Sequence, residues 1–150
     1  MSLEPAEVSV DLHYYETLIA VADDCPVTTS TVPQPRGAKP TVAVIQYELL
    51  VGDPYRYTQE DVLFESWLAR QDGPRDGSGE ALAALRAAFL AKPQACLRAS
   101  PLPKKYGWGL RFDGEGRVAL CRMESDEYRR IVTGQGDQVT VLKAMRSRRA

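Results

Sequence analysis

A chain of 150 residues, 44% hydrophobic and 26% charged, is long enough to form one domain around its own core. Nineteen Lys and Arg against twenty Asp and Glu leave a net charge of −1, which excludes a globally basic nucleic-acid binder and a highly charged disordered chain. One His and three Cys exclude most zinc clusters and His-rich metal sites.

Residues 1–12 are polar and read as a loose arm at the edge of a single domain spanning 1–150. They lack the basic and apolar regions of a signal peptide. No apolar run approaches the ~20 residues that cross a bilayer, so no membrane partner is expected. Cys25, Cys96 and Cys121 are odd in number and widely spaced, with no CxxC pair, which suits a reducing cytoplasm.

Tyr14 to Ala22 is rich in β-branched and aromatic residues and predicts a strand. Asp23 to Pro40 holds four prolines and predicts a long loop of the kind that is usually functional or mobile. Thr41 to Val51 has both helical spacing and a β-branched run. Gly52 followed by Pro54 decides for a helix, with Gly52 taking a left-handed position after its last turn. Tyr55 to Tyr57 reads as a short linker. Thr58 then caps a helix with acids in its first turn, and the pairs Leu63–Trp67 and Phe64–Leu68 form its buried stripe.

Asp72 to Gly79 reads as a flexible surface loop. Glu80 to Ala91 predicts a helix with Leu82, Leu85 and Phe89 facing inward, stopped by Pro93. Ala95 to Ser100 reads as a strand and Pro101 to Lys105 as a rigid basic connector. Tyr106 to Phe112 and Arg117 to Met123 form a hairpin around Asp113-Gly114-Glu115-Gly116. Tyr106, Trp108, Leu110 and Phe112 share one face of it, and Gly107, Gly109 and Arg111 the other. Ser125 caps a helix over Asp126 to Val132, and Val139 to Ala144 makes a final strand. A basic tail covers 145–150. Because strands and helices do not alternate, the fold class is α+β: an antiparallel sheet of about five strands built around the 106–123 hairpin, with helices packed on one face.

Several stretches resemble a family of small uncharacterised bacterial proteins, a domain of unknown function. They are Tyr14 to Ala22, Asp24-Cys25-Pro26, Lys39-Pro40-Thr41, Gln46-Tyr47-Glu48, Pro54 to Thr58, Asp61 to Phe64, Cys96 to Leu102, Lys105 to Gly109 and Ala144 to Ser147. The resemblance spans roughly residues 14–149. It implies no activity and carries over no catalytic residue.

The favoured chemistry is a binding module for a small anionic ligand. If strand 95–100 pairs with strand 106–112, Arg98, Ser100 and Arg111 converge on one sheet face, flanked by Lys105, Tyr106 and Trp108. Two guanidiniums and a hydroxyl suit a carboxylate or phosphate, and Gly107 and Gly109 would let the ligand approach the backbone. The bland alternative is a solvated sheet face whose glycines fit around Trp108. Pro54 to Thr58 precedes a helix N-terminus, but Glu60 and Asp61 occupy that first turn and would repel an anion, which favours a packed corner.

A second reading is a small enzyme with a pocket between the 23–40 loop and the sheet, built from His13, Asp24, Cys25, Tyr47 and Tyr106. Asp23 and Asp24 would raise the Cys25 thiol pKa, the wrong direction for a nucleophile, and could instead contribute to a metal site. Asp11 and His13 lie on one side of an extended segment. Nothing places two of Glu48, Glu65 and Glu124 together, and Cys96 and Cys121 read as small buried apolar groups in strands. A third reading is a protein- or nucleic-acid-interaction module using Lys143, Arg146, Arg148 and Arg149, although so few charges bind nucleic acid weakly. No cofactor or metal is expected, since no G-x-G-x-x-G, P-loop or HExxH is present. Oligomeric state stays open between a monomer and a homo-oligomer.

Overall fold

The computed structural model describes residues 14–38, 40–71, 79–135 and 138–147. The N-terminal arm, His13 with Asp11, the 72–78 loop and Arg148 with Arg149 lie outside them. The strands are β1 (Thr17–Ala20), β2 (Tyr57–Thr58), β3 (Trp108–Phe112), β4 (Arg117–Arg122) and β5 (Thr140–Lys143). The helices are α1 (Val42–Gly52), α2 (Gln59–Ala69), α3 (Gly79–Leu90), α4 (Pro101–Lys105) and α5 (Asp126–Val132), with a 3₁₀ turn at Leu97–Ala99.

One five-stranded sheet runs in the order β2-β4-β3-β1-β5. The β3–β4 hairpin forms as predicted, pairing Leu110 with Leu120 and Phe112 with Val118. β3 also pairs antiparallel with β1, setting Ile19 beside Leu110. The α+β class holds, but the sheet is mixed: β5 lies parallel to β1, with Leu18 beside Val141. The cause is α5. A helix inserted between β4 and β5 returns the chain to the end where β4 started, so β5 repeats the direction of β4 and β1.

Both faces of the sheet are covered. Ile19, Leu110, Phe112 and Val118 point toward α1, α2 and α4, in a core with Leu50, Val62, Leu97 and Leu102. Leu18 and Cys121 point the other way, against Ile131 of α5. Tyr128 of α5 accepts the Val21 amide at 2.8 Å, locking that helix to β1. Helices therefore pack on two faces rather than one, and β1 is buried along its whole length.

Thr41, read as the first residue of its helix, instead caps α1 and accepts from the Val44 amide. The two expected caps form. Thr58 and Asp61 make a reciprocal capping box on α2, and Ser125 accepts from the Tyr128 amide. Gly52 remains inside the last turn of α1. The left-handed backbone falls instead at Tyr55, with φ +60°. The amide of Tyr55 donates to Val118 at 3.1 Å, so residues read as a linker deliver β2 to the edge of β4.

Ala95 to Ser100 is not a strand. The Leu97 amide donates to the Gln59 side chain at 2.6 Å rather than to a neighbouring strand. Ser100 caps α4, with Pro101 in that helix's first turn. The supposed connector is thus a one-turn helix. The buried side of α2 is Gln59, Val62, Phe64 and Ser66. Leu63 and Trp67 are only half-buried. Of the predicted inner face of α3, Phe89 meets Phe64 and Trp67, while Leu85 points to solvent.

Candidate functional site

The residues proposed for an anion site do not gather on one sheet face. The strand pair that was to join Arg98 and Arg111 does not exist, because Arg98 sits in the 3₁₀ turn. Ser100 is buried, donating to Gln46 Oε1 at 2.6 Å and accepting from the Leu102 amide. Arg111 is committed: Nη2 lies 3.1 Å from Glu16, and Nη1 donates to the Phe112 carbonyl. Lys105 is exposed at the end of α4 and Tyr106 half-buried at its C-cap. Trp108 is 2% exposed on the core face, where its indole donates to the Thr31 carbonyl at 2.8 Å.

The glycines beside Trp108 serve packing. Gly107 has φ +78°, and a Cβ there would lie 2.9 Å from Met123 Sδ and from the Thr29 carbonyl oxygen. A Cβ at Gly109 would lie 3.0 Å from the Tyr128 ring. Protein already fills the space reserved for a ligand. The 23–40 loop lies directly on the sheet: Ser30 donates to the Gly107 carbonyl at 2.6 Å and to Glu124 at 2.9 Å, and the Thr31 amide donates to the Tyr106 carbonyl. The backbone bond from Ser30 holds the Glu124 carboxyl below the usual range.

One corner keeps a chemically open cation. The 3₁₀ turn is pinned from beneath by Gln59 and by burial of Leu97, so Arg98 projects outward over the end of β5. Its Nε donates to the Lys143 carbonyl at 2.8 Å, and its own carbonyl accepts the Met145 amide at 2.9 Å. Its Nη1 and Nη2 have no partner among the described residues. Tyr14 stands nearby, its hydroxyl donating to Cys96 Sγ at 3.3 Å. Burial, then the bond to Cys96, push that hydroxyl up to about 12, against the pull of Arg98.

The acids around this corner are occupied. Asp23 meets Lys143 Nζ at 2.5 Å; that bond, with Arg146 assisting, holds its carboxyl below the usual range. Asp24 accepts the Ser147 amide at 2.9 Å, tying the start of the basic tail to the loop. Sequence reasoning found Arg98 but missed its partner, because contact with Lys143 depends on β5 lying beside β1.

The enzyme candidates are dispersed. Asp24 is used by the tail, Cys25 is half-buried on the loop, and Tyr47 packs on Trp108 with ring centroids 5.4 Å apart. No group of three or more His, Cys, Asp or Glu among the described residues is placed to hold a metal ion. No helix among them is long and apolar enough to cross a membrane.

Comparison with known families decides the chain's kinship. The profile of a family of unknown function, DUF6157, matches residues 9–150. The chain belongs to that family. The match bears out the resemblance seen across residues 14–149. No curated protein and no solved structure matches this DUF6157 chain.

Proposed function

We propose that this DUF6157 chain is a binding module that holds a small carboxylate- or phosphate-bearing ligand on Arg98. The carrying observation is the state of that guanidinium. Anchoring Nε to a backbone carbonyl removes much of the side chain's freedom and leaves the two terminal nitrogens uncommitted among the described residues. A planar fork held this way suits bidentate recognition of an oxyanion. The Tyr14 hydroxyl lies within electrostatic reach of that guanidinium. The reading narrows the six-residue site to Arg98. The three free thiols support a reducing, cytoplasmic setting.

Thermal unfolding with inorganic phosphate tests the proposal. A ligand at ten times its Kd stabilises by about 1.4 kcal/mol, or roughly 3–6 °C for a chain of this size. Arg98→Ala should abolish that increment. Arg111→Ala should lower the starting stability but keep the increment. An unchanged phosphate response in Arg98→Ala, or none in the wild type with phosphate or a small dicarboxylate, rejects the proposal.

A further inference from the structure

β5 is the last strand of the sheet, with β1 on one side and no strand on the other among the described residues. The amides of Thr140 and Ala144 donate to the Glu16 and Ala20 carbonyls, so the backbone of Thr140, Leu142 and Ala144 faces β1. Alternation turns the backbone N–H and C=O of Val141, Lys143 and Met145 outward. Arg98 holds the far end of that outer row. Its carbonyl accepts the Met145 amide at 2.9 Å, and its Nε donates to the Lys143 carbonyl at 2.8 Å. These are hydrogen bonds that a sixth strand would make there. The rest of the row is open: the N–H and C=O of Val141 and the N–H of Lys143 have no partner among the described residues. Thr140, Val141 and Lys143 are exposed, and the uncommitted Nη1 and Nη2 of Arg98 lie at the end of the row.

We infer that this edge receives an extended peptide by its C-terminus: the peptide adds parallel to β5 as a sixth strand, and its terminal carboxylate meets the Arg98 fork. The inference rests on Arg98 being an oxyanion site and names the class of its ligand. Two independent features pick the same occupant. An open row of main-chain donors and acceptors is satisfied by another main chain. A guanidinium set at the end of that row requires the added chain to stop there, and to stop in negative charge. Antiparallel addition would instead bring the peptide's N-terminal ammonium against Arg98, a like-charge contact. Parallel spacing then fixes the register. The last residue lies opposite Lys143, where Arg98 Nε bars the chain from continuing. The penultimate residue donates its N–H to the Val141 carbonyl and accepts from the Lys143 amide, and the fourth residue from the end accepts from the Val141 amide. The Val141 side chain, 37% exposed, offers an apolar neighbour to a β-branched residue of the peptide.

Fluorescence anisotropy of the full chain with fluorescein-labelled Gly-Thr-Val-Thr-Val provides the test. The peptide with a free C-terminus should bind saturably, and inorganic phosphate should displace it. Its C-terminal amide should bind about tenfold more weakly or worse. N-methylation of the penultimate residue removes one main-chain bond and should cost about as much. Arg98→Ala should erase the preference for the free acid over the amide. Val141→Pro removes an N–H that faces away from β1, a change that an edge strand tolerates, and should weaken the free acid as N-methylation does. Phosphate that raises the wild-type unfolding temperature while the peptide fails to bind overturns the peptide inference and leaves the Arg98 reading standing; failure of both overturns both. Equal binding of acid and amide overturns the carboxylate contact. Binding indifferent to N-methylation overturns strand addition, whether or not Val141→Pro folds.

Discussion

Replacing Gly107 by Ala separates two costs that a glycine can conceal. Its φ of +78° is a conformation in which an L side chain loses roughly 1–2 kcal/mol. The added methyl would also lie 2.9 Å from Met123 Sδ, 2.9 Å from the Thr29 carbonyl oxygen and 3.0 Å from Val27 Cγ2. One of the three is backbone and cannot rotate away. Overpacking of this kind costs typically 1–3 kcal/mol, so the total is about 2–5 kcal/mol against a stability of roughly 5–15 kcal/mol for a whole domain. Gly134 supplies the control: its φ is also +78°, but nothing lies within 4 Å of its Cβ position. Gly134→Ala should therefore show the backbone cost alone. Urea unfolding of both variants measures the difference, expected at about 1–3 kcal/mol with unchanged m-values. Equal destabilisation would show that the 23–40 loop does not press on the sheet at Gly107, and the packing argument would fail.

The other expectations concern protons and thiols. Burial alone would raise the Asp61 carboxyl, but the Thr58 amide, Arg86 and the Thr58 hydroxyl together hold it below its usual value. A depressed carboxylate contributes stability above its unfolded pKa of about 3.9, and loses it as pH falls through the folded value. The fall in urea midpoint between neutral pH and pH ~3 should thus be smaller in Asp61→Asn than in wild type, and an equal fall would remove Asp61 from the account. Burial and the nearby Glu127 push the Cys121 thiol up to about 11, and its side chain packs under α5. A thiol reagent should label Cys25 and Cys96 in the native protein and reach Cys121 only on unfolding; rapid native labelling of Cys121 would contradict the packing of α5.

What the sequence made legible was local. Thr58 and Ser125 announce their helices through short-range capping chemistry, and Asp113 to Gly116 announces the hairpin. The misread positions depend on distant partners. Ala95 to Ser100 has strand-like composition, but Gln59, which captures the Leu97 amide, lies in another helix. Buried Gln46, Gln59, Ser66 and Ser100 look like surface residues until they are seen bonded to one another or to backbone. The candidate site shows the same division. Arg98 and Arg111 were both recognisable as cations of interest, but only the fold reveals that Glu16 occupies Arg111 and that β5 leaves one edge of Arg98 open.

The parallel pairing of β1 with β5 bears on how the chain folds. β1 sits between two strands that both come later in the chain, and one of them ends at Lys143. During synthesis the sheet stays incomplete until that segment emerges, and β1 meanwhile has an open edge beside Leu18 and Ile19, both fully buried in the finished molecule. Open apolar edges recruit other strands, and long-range pairings form slowly. A chain cut short of β5 would therefore do more than lose four residues of strand. It would carry a permanently unfinished sheet, open to aggregation and proteolysis.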